Sequence, residues 1–127
     1  ADYAAASYLD LAPGQTGLVV FSGIGHWVGV VDASGTWLRA PVDAGSATRL
    51  LPTSDGASVL ASDEGQQLRL QRFDPSQGLR QPEVLVPAPD DGCRWLVEGS
   101  LSELVLLSAC GPDDALERLE TQRMAWP

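Results

Sequence analysis

The chain has 127 residues, 44% hydrophobic and 20% charged, the composition of one globular domain (1–127) able to bury its own core. Seventeen acidic against eight basic residues leave a formal charge of -9, and the basic residues scatter from Arg39 to Arg123 without forming a block. That pattern argues against nucleic acid and against an anionic membrane surface, and no apolar run approaches the ~20 residues that span a bilayer.

All eight basic residues are Arg, Lys and Asn are absent, and Ile24 is the sole Ile, the bias of a GC-rich bacterial coding sequence. The chain starts Ala1-Asp2-Tyr3 without Met, as either a mature chain after leader removal or a fragment would.

Strands dominate the pattern. Residues 18–21 and 27–31 are apolar runs flanking Ser22-Gly23-Ile24-Gly25-His26, a small-residue connection suited to a hairpin. Asp32-Ala33-Ser34-Gly35 reads as a turn before a strand over 36–40, and 41–47 reads as a loop. Strands follow over 48–51 and 57–61, separated by a turn at Asp55-Gly56. After the turn Ser62-Asp63-Glu64-Gly65, residues 66–73 alternate with period two until Arg72-Phe73, where the pattern calls for a strand end or a bulge. A loop over 75–82 precedes a short strand over 83–86. The tail is ambiguous: Gly111-Pro112-Asp113-Asp114 suits a helix start, yet Leu116, Leu119 and Met124 fit a helical stripe loosely, and a final strand fits equally well. The fold class is therefore all-β: antiparallel meander units, as β-propeller-like blades or a small sandwich, with a short C-terminal helix as the alternative ending. A weak internal echo between Gly35-Thr36-Trp37-Leu38-Arg39-Ala40 and Gly65-Gln66-Gln67-Leu68-Arg69-Leu70 fits repeated meanders.

Both cysteines lie in one stretch, DDGCRWLVEGSLSELVLLSAC, residues 90–110. Taking 100–103 as the connection of a hairpin sets Gly99 opposite Leu104, Val97 opposite Leu106, Trp95 opposite Ser108 and Cys93 opposite Cys110. Directly opposed residues have Cα atoms ~4.5 or ~5.5 Å apart, both within reach of a disulfide. The bond would close a loop of about 16 residues, worth roughly 3 kcal/mol in the chain-entropy model. It would place the protein in the periplasm or outside the cell. Two reduced, buried cysteines are the alternative.

Few constellations suggest chemistry. Gly23-x-Gly25 is followed by strand residues where a dinucleotide site needs a helix N-terminus, and Ser22 with His26 lacks a nucleophile elbow. His26 reads as a surface or half-buried neighbour of Trp27. One His and two paired Cys build no zinc site. Asp55, Asp63, Glu64, Asp90, Asp91, Asp113 and Asp114 sit in predicted turns where carboxylates could converge on calcium, although Asp and Gly also make turns for their own reasons. Trp27 and Trp37 are candidates for a partner-binding face, against the plainer role of core packing.

The succession from Gly25 to about Leu107 resembles the non-catalytic N-terminal half-propeller of bacterial tandem β-propeller phytases. The residues behind the resemblance are WVGVVDASG (27–35), SVLASD (58–63), LRLQRFD (68–74) and PAPDDGC (87–93). It implies an accessory domain without its own active site, paired with another half-propeller. The chain departs from a catalytic propeller in lacking Lys, in not clustering Arg with its acids, and in length, being able to supply at most about half the blades of a full ring. The function so implied is that of an exported, non-catalytic binding or accessory domain whose partner is a protein or a second copy. Two other readings stand beside it. One is a periplasmic inhibitor or immunity-type protein binding a basic partner. The other is a calcium-dependent phosphoesterase using the acidic turns.

Overall fold

A computed structural model describes residues 5–12, 15–53, 57–100, 102–111 and 118–127, with side chains described from residue 17 onward. Strands β1 (Ala5–Ala12), β2 (Gln15–Ser22), β3 (Trp27–Asp32) and β4 (Trp37–Asp43) make an N-terminal antiparallel sheet in chain order. A middle sheet holds β5 (Arg49–Pro52), β6 (Ser58–Asp63), β7 (Gln67–Asp74), β8 (Gly78–Leu79) and β9 (Val84–Pro87), the last two both pairing with β7. A C-terminal sheet holds β10 (Cys93–Gly99), β11 (Leu104–Cys110) and β12 (Arg118–Met124). The fold is all-β with three antiparallel sheets and no closed barrel, and the described residues contain no helix.

The middle sheet is packed on both faces. Leu60 and Phe73 join Val19, Phe21, Val28 and Val30 of the N-terminal sheet in one apolar layer. Val59, Ala61, Leu68 and Leu70 join Trp95, Val97, Leu104 and Leu106 of the C-terminal sheet in another. Strict alternation along β6 and β7 sends successive side chains to opposite layers, which is why β6 is buried at every position except Asp63. Each fully buried Phe, Leu or Val in these layers contributes about 1.5–3 kcal/mol against leaving it exposed. Between sheets, the strongest backbone approaches are β1 to β5 and β10 to β5 and β6. Arg39 adds a polar tie from the N-terminal to the middle sheet, donating from Nε to Pro75 O (3.0 Å) and from Nη2 to Ser76 O (2.5 Å).

Several expected boundaries move. β7 runs through Arg72 and Phe73 to Asp74 in unbroken register with β6, because Phe73 turns to the layer opposite Leu68 and Leu70. The expected strand end or bulge there does not occur. β4 extends through Pro41 to Asp43, in a stretch expected to be loop. Proline is tolerated there because β4 is the sheet edge and the β3–β4 register shifts near it. Leu119 and Met124 lie on a strand, β12, and not on a helix; the proposed helix start at 112–114 and Leu116 lie outside the described residues. The turn at Asp55-Gly56 also lies outside them. β1 is a strand in a stretch without a strand pattern in the sequence.

The C-terminal hairpin adopts the register read from the sequence: Cys93 opposite Cys110, Trp95 opposite Ser108, Val97 opposite Leu106 and Gly99 opposite Leu104. Ser100 N–H donates to Glu103 O (2.9 Å) and Gly111 N–H to Gly92 O (3.3 Å). Since hydrogen-bonded and non-hydrogen-bonded pairs alternate, Cys93 and Cys110 form a pair of the closer, non-hydrogen-bonded kind. Their Cα atoms are 3.9 Å apart and the sulfurs are bonded.

Candidate functional site

Trp27 and Trp37, far apart in the turn-strand pattern, meet in an edge-to-face pair with ring centroids 6.0 Å apart and planes at 87°. Val28 and Val30 point into the core, so Gly29 and its odd-numbered neighbours face outward. Trp37 packs over Gly29, where an added Cβ would lie 2.7 Å from Cζ3 of its ring. The pair therefore lies on the outer face of the N-terminal sheet, with Leu18, Val20 and Val31 half-buried beside it and Trp37 44% exposed. The opposite end of the stack is apolar as well. On the outer face of the C-terminal sheet Leu96 lies opposite Leu107 and Ala109 opposite Leu119, with Leu96 61% and Leu119 67% exposed.

Among the described residues, the acidic turn residues do not converge. β10 has no strand partner on one edge among the described residues, and the residues of its non-hydrogen-bonded pairs turn their backbone groups that way. Asp63 accepts from Trp95 N–H through Oδ2 (3.0 Å) and from Gly65 N–H through Oδ1 (2.9 Å), while Arg49 donates to Val97 O (2.5 Å). Asp63 thus serves a turn and a free strand edge. Asp90 accepts from Asp91 N–H (2.8 Å) within its own turn. Asp55, Asp113 and Asp114 lie outside the described residues. Among the described residues, no group of three or more His, Cys, Asp or Glu is placed to hold a metal ion. Ser22 is fully buried and accepts from Gly25 N–H (2.7 Å), whereas His26 is exposed in the same connection.

Glu64 belongs to a different arrangement. On the face of the middle sheet that looks toward the N-terminal sheet, Ser62 lies opposite Arg69 and Leu60 opposite Gln71. Arg69 donates from Nε to Glu64 Oε2 (3.0 Å), from Nη2 to Glu64 Oε1 (3.3 Å), and from Nη1 to Glu83 Oε2. Gln67 Nε2 also donates to Glu64 (2.7 Å). The Arg69 hydrogen bonds, then that of Gln67, hold the Glu64 carboxyl below its ordinary range, and the two carboxylates raise Arg69 further. Leu60, Ser62, Glu64, Arg69 and Gln71 floor a cleft of about 420 Å³, walled by Asp43 at the end of β4, by Gly45 and Ser46 after it, and by Gln81 and Glu83 before β9. The sequence pattern marked Glu64 as a turn acid but missed Ser62, Arg69 and Glu83. Ser62 and Arg69 flank the 63–68 hairpin symmetrically, so counting outward from that turn would have paired them. The approach of Glu83 depends on β9 joining β7, which no local pattern declares.

No family model, curated protein or solved structure matches this chain. No helix among the described residues is long and apolar enough to cross a membrane.

Proposed function

We propose that the chain is a non-catalytic, exported bacterial binding or accessory domain, whose three sheets stack like propeller blades and whose end surfaces receive a second module or a second copy. The observation that carries this reading is the contrast between the middle sheet and its neighbours. The middle sheet has apolar partners on both faces, whereas the outer sheets present Trp27, Trp37 and Val31 at one end and Leu96, Leu107 and Leu119 at the other. Exposed contiguous apolar surface of this kind marks interaction sites. Blade-like stacking is supported by the chain-ordered meanders and by the approach of the first strands β1, β5 and β10, as expected of strands nearest a common axis. The Cys93–Cys110 bond is compatible with export, and the resemblance to phytase half-propellers points the same way.

Intact mass with and without reductant, run beside light scattering, tests the reading. A native mass about 2 Da below the reduced one and a particle of twice 13.4 kDa are expected. Free thiols in chain recovered from the periplasm would remove the export argument. A strict monomer would favour a second reading, an inhibitor-type protein whose Trp27–Trp37 pair docks a basic partner, since Asp43 lies opposite Trp27 and Asp32 ends the same strand.

A further inference from the structure

We propose that the cleft between the N-terminal and middle sheets binds an organic cation bearing N–H donors, an alkylammonium or guanidinium group. Only Asp43 of its charged residues also borders an end surface, opposite Trp27, and Ser62, Glu64, Arg69 and Glu83 lie away from it. Its lining carries three carboxylates, Asp43, Glu64 and Glu83, against one guanidinium, Arg69. A recessed wall of one dominant sign focuses the field on whatever enters.

The hydrogen-bonding inventory then selects the ligand. Nε, Nη1 and Nη2 of Arg69 each already donate to a carboxylate, so the one cation of the cleft is engaged and an anion would meet two further carboxylates uncompensated. Ser62 is 4% exposed and lines the cleft, yet its hydroxyl has no hydrogen-bond partner among the described residues. That hydroxyl is reachable from the cleft and is free to accept or donate to whatever enters it. Asp43 uses Oδ1 on Gly45 N–H (2.8 Å) and Glu83 uses Oε2 on Arg69, which leaves Asp43 Oδ2 and Glu83 Oε1 as spare acceptors. Gln71 spends its Nε2 on Arg80 O (3.5 Å) and keeps its carbonyl oxygen. Two of the spare groups are charged acceptors, and charge-assisted hydrogen bonds from an N–H cation are the strongest they can make. A bare metal ion is a poorer match, because the described residues supply no group of three ligands.

The test is an amide-resolved NMR titration of the full chain with methylguanidinium chloride and with n-butylammonium chloride, against sodium chloride at equal ionic strength. Saturable shifts are expected at Asp43, Ser62, Gln71 and Glu83 with the organic cations and not with sodium. Glu83→Gln should weaken binding about tenfold and Ser62→Ala about threefold, each checked for native melting. If Glu83→Gln fails to fold, Asp43→Asn on the exposed wall takes its place with the same expected loss. Shifts that never saturate, that sodium reproduces, or that persist unchanged in a folded Glu83→Gln or Asp43→Asn chain would overturn the proposal. Spermidine and the peptide Ala-Arg-Ala separate the sources. Tighter peptide binding assigns the cation to a protein side chain, and tighter spermidine binding assigns it to a free amine.

Discussion

Replacing Asp63 by Ala strips both Gly65 N–H and Trp95 N–H of their acceptor, at a turn and at a sheet edge in one change. A cost of about 1–2 kcal/mol is expected, read as a lower urea midpoint and as faster hydrogen exchange at Trp95. Calcium should not rescue it. Glu64 carries a pH-dependent prediction. Its carboxyl is held below the ordinary value of 4.5 by Arg69, so the stabilisation is full above that value and is lost as pH falls through the lower folded value. Glu64→Gln should therefore lower the urea midpoint at pH 7 by a small margin, and the gap should close as the wild-type glutamate is protonated. Both residues were legible as acids in turns. Their partners were not, because Trp95 reaches Asp63 from β10 and Arg69 turns back to Glu64 from β7. A carboxylate in a turn looks alike in sequence whether its neighbour is an ion, an arginine or an unpaired strand edge.

The C-terminal hairpin was readable to single-residue register because its two strands are adjacent and a disulfide needs direct opposition. Replacing Cys93 and Cys110 together by Ala should cost roughly 3 kcal/mol in the chain-entropy model, measured as the loss of urea midpoint relative to the oxidised chain. The N-terminal sheet holds a second element-level dependence. Gly29 is the slot in which Trp37 lies, and a Cβ there would also come within 3.1 Å of Arg39 O and 3.2 Å of Pro41 Cα. Gly29→Ala should displace the Trp37 ring, costing about 1–3 kcal/mol, with a shift of tryptophan emission as the pair opens. Elements with weak local signal escaped. β1 reads AASYLDLA, and alanine has little strand preference of its own. β4 passes through a proline that only an edge position permits.

At the scale of the molecule, alternation announced strands but not which sheet would cover which face. The stacking of three meanders is a long-range fact, and so is the cleft at the junction of two of them. The end surfaces carry the corresponding prediction: Trp37→Ala and Leu96→Glu should each reduce self-association in light scattering, one change acting from either end.

Those two ends are not the same surface. In the proposed assembly a contact that joins the tryptophan end of one copy to the leucine end of the next is head-to-tail, and such a joint has an arithmetic of its own. Repeated with enough rotation per copy it shuts into a ring of fixed mass; with too little it propagates as a filament whose length follows concentration. The charge of -9 on every copy opposes each addition and is screened by salt. A ring should keep its mass as salt rises, and a filament should lengthen.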